Sequence, residues 1–204
     1  MAYIQTRHVS SLAAVTAKGL RKLPEQYMRS VAGVMYPGEP TTLAPAKKFL
    51  GDFKLSDPLI LQCLVHKSFA HGKVPYNEKL AFIGSELLRL EAARAAAQAG
   101  NQALPKELTI NGQNFDISSN AIELLTSAQV LSKICQNAGL DDTLFYKTPK
   151  RDLTSSIRAK TVNAFVGAVL LESGSTAAFR FIDDRLMREH NLFSIAEPLY
   201  RDSA

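Results

Sequence analysis

The residues that could do chemistry concentrate in two stretches. The first, Asn77-Glu78-Lys79-Leu80-Ala81-Phe82-Ile83-Gly84-Ser85, reads as the start of a helix capped by Asn77. Positions 78, 81 and 85 lie three and four apart, so they share one helix face. They are Glu, Ala and Ser. Glu86 lies about 100° around the helix from Ser85. The second stretch is cationic: Lys147, Lys150, Arg151, Arg158 and Lys160 are opposed only by Asp152. Such cations make phosphate contacts, and Tyr146 among them could stack on a base. Taken singly, Glu78 reads as a helix N-terminal charge favoured by the dipole, and Lys160 as a solvated helix lysine. His66 and His71 have no nucleophile paired with them in sequence and read as loop and cap hydrogen-bonders.

The helix carrying the first stretch is expected to run to about Gln98, with no proline before Pro105. Leu80, Ile83, Leu87, Leu88 and Leu90 recur at helical spacing and give it a buried side. Gly84 within it costs about 1 kcal/mol against alanine, which suggests that another backbone packs close there. Upstream, Ser56-Asp57-Pro58 opens a short helix through Leu59, Leu61, Leu64 and Val65, with proline in the first turn. Downstream, Asn111-Gly112 marks a loop or a hairpin over 108–115. Ser118 or Ser119 is expected to cap a helix through Ile122, Leu124, Leu125, Val130, Leu131 and Ile134 that ends at Gly139. After a loop over 140–150, Asp152 or Thr154 opens a helix through Ile157, Val162, Phe165, Val166, Val169 and Leu170, closed by Gly174. Ser175 then caps another through Ala178, Phe181, Ile182 and Leu186. The pattern is all-α.

A chain of 204 residues suits one domain with extensions, and 46% hydrophobic residues can bury a sizeable core. The net charge of +5 is compatible with an anionic partner such as RNA or anionic lipid. Cys63 and Cys135 lack Cys-x-x-Cys spacing and read as buried reduced thiols. No apolar run approaches 18 residues without a charge, so no membrane span is expected. Residues 1–45 carry Arg7, Lys18, Arg21, Lys22 and Arg29 against Glu25 and Glu39. They read as a basic N-terminal arm or a mitochondrial targeting segment, ending in an irregular linker around Pro37-Gly38-Glu39-Pro40 and Pro45. The globular part is expected over 46–190, with a tail over 191–204.

Four stretches in order resemble the endonuclease domain of the ribonuclease III family. Leu64-Val65-His66-Lys67-Ser68-Phe69-Ala70-His71 is similar to the family's run LTHRSYAH. Asn77 through Ser85 is similar to its signature NERLEFLGD, and Ala138-Gly139-Leu140 fits the loop before its last core helices. The stretch from Ala159 to Leu171 is similar to ADTVEALIGAVYLD, and Phe179-Arg180-Phe181-Ile182 fits the helix that follows. The resemblance covers roughly 46–190 and implies the family's helical fold. The stretch after residue 190 is too short for the double-stranded-RNA-binding domain that often follows in the family.

The resemblance also implies a chemistry. Family nucleases use four acidic groups to bind divalent metal for in-line displacement at an RNA phosphate. Those positions fall on Ala81, Ser85, Lys160 and Asn163, where no carboxylate stands; Glu78 keeps the family's other signature acid. The implied protein has no catalytic residue, no metal and no cofactor, and is closest in kind to the inactive ribonuclease-III-like proteins of the fungal mitochondrial large ribosomal subunit. It would bind ribosomal RNA through Arg7, Lys18, Arg21 and Lys22 of the arm and Lys147, Lys150, Arg151 and Arg158 of the patch. It would pair through Phe82 and Gly84 with a second ribonuclease-III-like ribosomal protein or with itself, among other ribosomal proteins in the mitochondrial matrix. The alternative is a scaffold subunit of an RNA-processing endonuclease or splicing factor whose partner is active.

Overall fold

Two long helices dominate the computed structural model of the chain, which describes residues 28–99, 107–110, 113–116, 122–123, 125–148 and 152–190. A 3-10 turn, Pro40–Leu43, leads into α1 (Ala44–Leu50). Helices α2 (Asp57–Leu64) and α3 (Glu78–Ala99) follow, then strands β1 (Glu107–Ile110) and β2 (Gln113–Asp116). Helix α4 (Ala128–Asn137), a 3-10 turn over Asp141–Thr143, and α5 (Ser155–Phe181) complete the core. Past Gly174, at φ +83°, α5 runs into a π-helical segment, Ile182–Glu189. The architecture is mostly helical.

Local chemistry explains most helix starts. The Thr154 hydroxyl accepts from the Ile157 N–H, and the Ser127 hydroxyl from the Val130 N–H. At α2 the Ser56 hydroxyl does not cap its own helix. Instead the Glu172 carboxylate of α5 accepts from the Ser56 N–H at 3.1 and 3.2 Å, placing an anion at a helix N-terminus. Asn77 precedes α3, but its side-chain amide donates to the Cys63 carbonyl at 3.0 Å, and its own Oδ1 is buried without a partner. It therefore ties the start of α3 to the end of α2 rather than capping α3.

The core lies where α1, α2 and α4 pack around α3 and α5. Phe49, Phe69, Phe145, Phe165 and Phe181 are fully buried within it. The Phe49 ring meets Phe165 and Phe181 edge-on at 5.4 and 5.7 Å. Cys63 and Cys135 are buried free thiols, and the Cys63 thiol donates to the Ala164 carbonyl.

The crossing of α3 and α5 fixes the frame. A Cβ on Gly84 would lie 1.9 Å from the Asn163 carbonyl oxygen, and one on Gly167 would lie 2.1 Å from the Leu80 carbonyl oxygen. The close backbone approach expected from Gly84 is present, and it is made within the chain. Gly84 is thus buried against α5 and is not free to line an interface with another chain, which corrects that expectation.

Leu90 lies outside the buried side of α3, at 58% exposure. Of the loop or hairpin expected over 108–115, the hairpin is present: β1 and β2 pair antiparallel in register Ile110↔Gln113. Ser118 and Ser119, expected to cap the next helix, lie outside the described residues; Ile122, Glu123 and Leu125 are helical, and α4 begins at Ala128 with Ser127 as its cap. The boundary at residue 46 falls inside packed structure: Leu43 is buried, and the Tyr36 ring packs on Phe69 and Phe145. Of the proposed arm, residues 1–27 lie outside the described residues, as does the 191–204 tail. Among the described residues one helix, Ser155–Glu189, is long and apolar enough to cross a membrane, whereas no such span was expected from the sequence. Its Val162, Phe165, Val166 and Val169 are buried in the core, the other setting in which such a helix occurs.

Candidate functional site

The site is assembled by a short parallel bridge. The His66 N–H donates to the Phe145 carbonyl at 2.8 Å, and the Phe145 N–H to the Leu64 carbonyl at 2.9 Å. This joins the turn after α2 to the loop before α5. Ser68 completes the link by accepting from the Lys147 N–H at 3.0 Å. The next backbone bond, from the Asn77 N–H to the Val65 carbonyl, sets the first turn of α3 beside the same turn. Lys67, Glu78 and Lys160, from three separate elements, meet there.

Glu78 stands at the head of α3 with two ammonium partners. Lys67 Nζ lies 2.5 Å from Glu78 Oε1, and Lys160 Nζ lies 3.9 Å from the same oxygen. The Lys67 hydrogen bond, with the charges of Lys67, Lys160 and His66, holds the Glu78 carboxyl below its usual range. Burial, with Lys160 and Lys67 beside it, holds the His66 imidazole below its usual value. One ring nitrogen of His66 shares a 2.9 Å hydrogen bond with the Ser68 hydroxyl. His66 is thus a loop hydrogen-bonder.

The remaining positions of this face carry little. Ala81 is buried. The Ser85 hydroxyl is spent on the Phe82 carbonyl one turn back, at 2.7 Å. Asn163 Oδ1 is buried without a partner. A divalent metal does not fit this donor set. One carboxylate is present, already paired, and a dication about 4 Å from the Lys160 ammonium would meet a repulsion of roughly 8 kcal/mol at an effective dielectric near 20. Among the described residues no group of three or more His, Cys, Asp or Glu side chains could hold a metal ion.

The cationic patch is only partly as expected. Lys147 is exposed. Arg158 is not available to a ligand: its guanidinium forks onto Asp141 at 2.9 and 2.8 Å and donates to the Leu153 carbonyl. Asp141 is a second opposing acid, 17 residues away in sequence, that charge counting along the chain could not find. Tyr146 is 7% exposed, so it packs inward and cannot stack on a base. Lys150 and Arg151, like Arg7, Lys18, Arg21 and Lys22, lie outside the described residues. Phe82 is 68% exposed on α3, one of the large apolar side chains left open to solvent. Lys67 was missed as a site residue; its signal was the arginine at the matching position of the family run.

The fold defines a ribonuclease III-type helical domain. A family profile described as Ribonuclease-III-like matches residues 56–190, and the chain belongs to that family. Among curated relatives, Ribonuclease 3 of Bacteroides thetaiotaomicron is 24% identical over 147 residues, covering 70% of this chain and 44% of the relative. Large ribosomal subunit protein mL57 of Neurospora crassa is 24% identical over 152 residues, covering 68% of this chain and 57% of the relative. The chain spans about half the length of the curated relatives it matches. The solved nuclease domain of ribonuclease III from Campylobacter jejuni shares the fold with a TM-score of 0.58 at 21% identity, covering 71% of this chain and 92% of that one.

Proposed function

We propose that this chain is a structural component of the mitochondrial large ribosomal subunit, a ribonuclease-III-like domain without nuclease activity. In this reading it binds ribosomal RNA and pairs with a second ribonuclease-III-like chain. The observation that carries it is the former acidic face: Ala81, Ser85, Lys160 and Asn163 supply no carboxylate, and Glu78 is engaged by Lys67 and Lys160. The likeness to a large ribosomal subunit protein supports the assignment. The exposed Phe82 supports pairing, since an aromatic ring open to water on the signature helix gains from burial in a partner.

In mitochondrial extracts the chain should comigrate with large ribosomal subunits through high-salt sedimentation. Recovery at the top of the gradient would overturn the ribosomal assignment. Purified chain incubated with double-stranded RNA and Mg²⁺ should leave the RNA intact, alone and with its pairing partner. Metal-dependent cleavage abolished by a substitution in this chain would instead make it part of an RNA-processing enzyme. Phe82→Asp should weaken pairing at least about tenfold with little effect on the melting temperature of the isolated chain.

A further inference from the structure

The face that lost its carboxylates still faces water, and it has gained cations. Lys67 and Lys160 converge on a single oxygen, Glu78 Oε1, from two different elements. Their side chains remain 52% and 35% exposed. Two ammoniums against one carboxylate leave the cluster with an unbalanced positive charge, and the exposed Lys147 lies in the loop whose backbone is tied to Ser68 of the same turn. Asp141 does not quench them, because it is locked on Arg158. His66 stays neutral near pH 7, since its titration is held below the usual value. Backbone bonds of residues 64–66, 77 and 145 fix the turn that carries Lys67 against the start of α3.

We propose that Lys67 and Lys160 together take one backbone phosphate of RNA at this face, without metal, in competition with Glu78. The inference rests on the RNA-binding reading above and names its site. Two ammoniums aimed at one anionic oxygen are arranged to bridge an anion with several oxygens. A phosphodiester offers that, and offers it at every step of a strand. Glu78 is then an internal competitor: it holds the lysines in place when RNA is absent and yields them when it arrives. The contact needs no Mg²⁺, because the positive charge belongs to the chain.

The test uses the full chain and a blunt RNA duplex of about 20 base pairs in EDTA, with affinity measured across salt. The double variant Lys67→Gln/Lys160→Gln should bind about 3–10-fold more weakly near 0.1 M salt, and its log–log salt slope should shrink by about one phosphate contact. Glu78→Gln should bind about threefold more tightly, an effect that a loosened fold cannot imitate. Unchanged affinity and slope in both variants, with the parent chain still binding, would overturn this site and leave RNA binding to be made elsewhere. A parent chain that does not bind the duplex at all would overturn the RNA-binding reading together with it.

Discussion

The α3–α5 crossing and the polar face beside it are built from the same two helices, yet they hold their sequence in different ways. At the crossing, backbone meets backbone, and neither Gly84 nor Gly167 has room for a methyl group. At the polar face, Ala81, Ser85, Lys160 and Asn163 stand where the resemblance to the family's motifs would place acids, and the helices still pack. The difference is physical. A close crossing is a steric requirement of the fold, met by glycine alone. A carboxylate cluster serves the metal and opposes the fold, because like charges on neighbouring turns repel until a cation neutralises them. A face without such a cluster is free of that strain, and Lys160 beside Glu78 supplies an internal cation.

The sharpest way to break this comparison is at the crossing. Gly84→Ala puts a carbon into the Asn163 carbonyl, and Gly167→Ala does the same at Leu80. Neither contact is with a side chain that could swing away, so the helices must separate. We expect each substitution to cost at least about 3 kcal/mol in denaturant unfolding, or to prevent folding. A loss below about 1 kcal/mol would mean the crossing is softer than drawn.

The polar face should respond in the opposite way. Restoring acids through Ala81→Glu, Ser85→Asp, Lys160→Asp and Asn163→Glu places several carboxylates together. Without metal this should destabilise the chain by about 2–4 kcal/mol. Millimolar Mn²⁺ or Mg²⁺ should recover about 2–3 kcal/mol, as expected near 100 times the dissociation constant. The parent chain should show no such recovery. A restored variant whose melting temperature ignores the metal would mean that the frame no longer holds the acids in coordinating geometry.

Arg158 separates a cation that builds the fold from one that meets a ligand. Arg158→Ala leaves Asp141 with the Cys135 thiol alone and the Leu153 carbonyl without its guanidinium donor. It should cost about 1–2 kcal/mol while changing RNA affinity less than twofold. A large loss of RNA binding at unchanged stability would return Arg158 to the binding patch.

How much of this was legible in the sequence follows from the range of each interaction. Helix periodicity located α3 and α5, and Gly84 marked the crossing, because both signals are local. Arg158 and Tyr146 were misread as surface groups, since only the tertiary path of the 140–148 loop brings Asp141 to the first and buries the second. Lys67 as a partner of Glu78 was invisible for the same reason: the turn that carries it is placed by the Val65–Phe145 bridge. Leu90 lies among the apolar residues of α3 but turns away from the packed face, which continues through Leu88, Glu91 and Ala92; a run of leucines does not say which of them meets the core.

The smallest effect probes the electrostatics of the polar face directly. His66 has a folded-state titration point below its unfolded value near 6.5, held there by burial first and then by Lys160 and Lys67, with Glu78 opposing. Between those two points the unfolded chain binds the extra proton, so stability rises with pH across that window. Acidification below about 6.5 should therefore cost stability, less than about 1 kcal/mol from this one half-buried ring. Lys160→Met removes one repelling charge and should raise the His66 midpoint in proton NMR. Glu78→Gln removes the opposing anion and should lower it. His190, whose titration is also held low, by burial and Arg185, serves as the internal control and should not move. If the His66 midpoint ignored both substitutions, the three charges would not share one face, and the contrast between the crossing and the polar face would lose its electrostatic half.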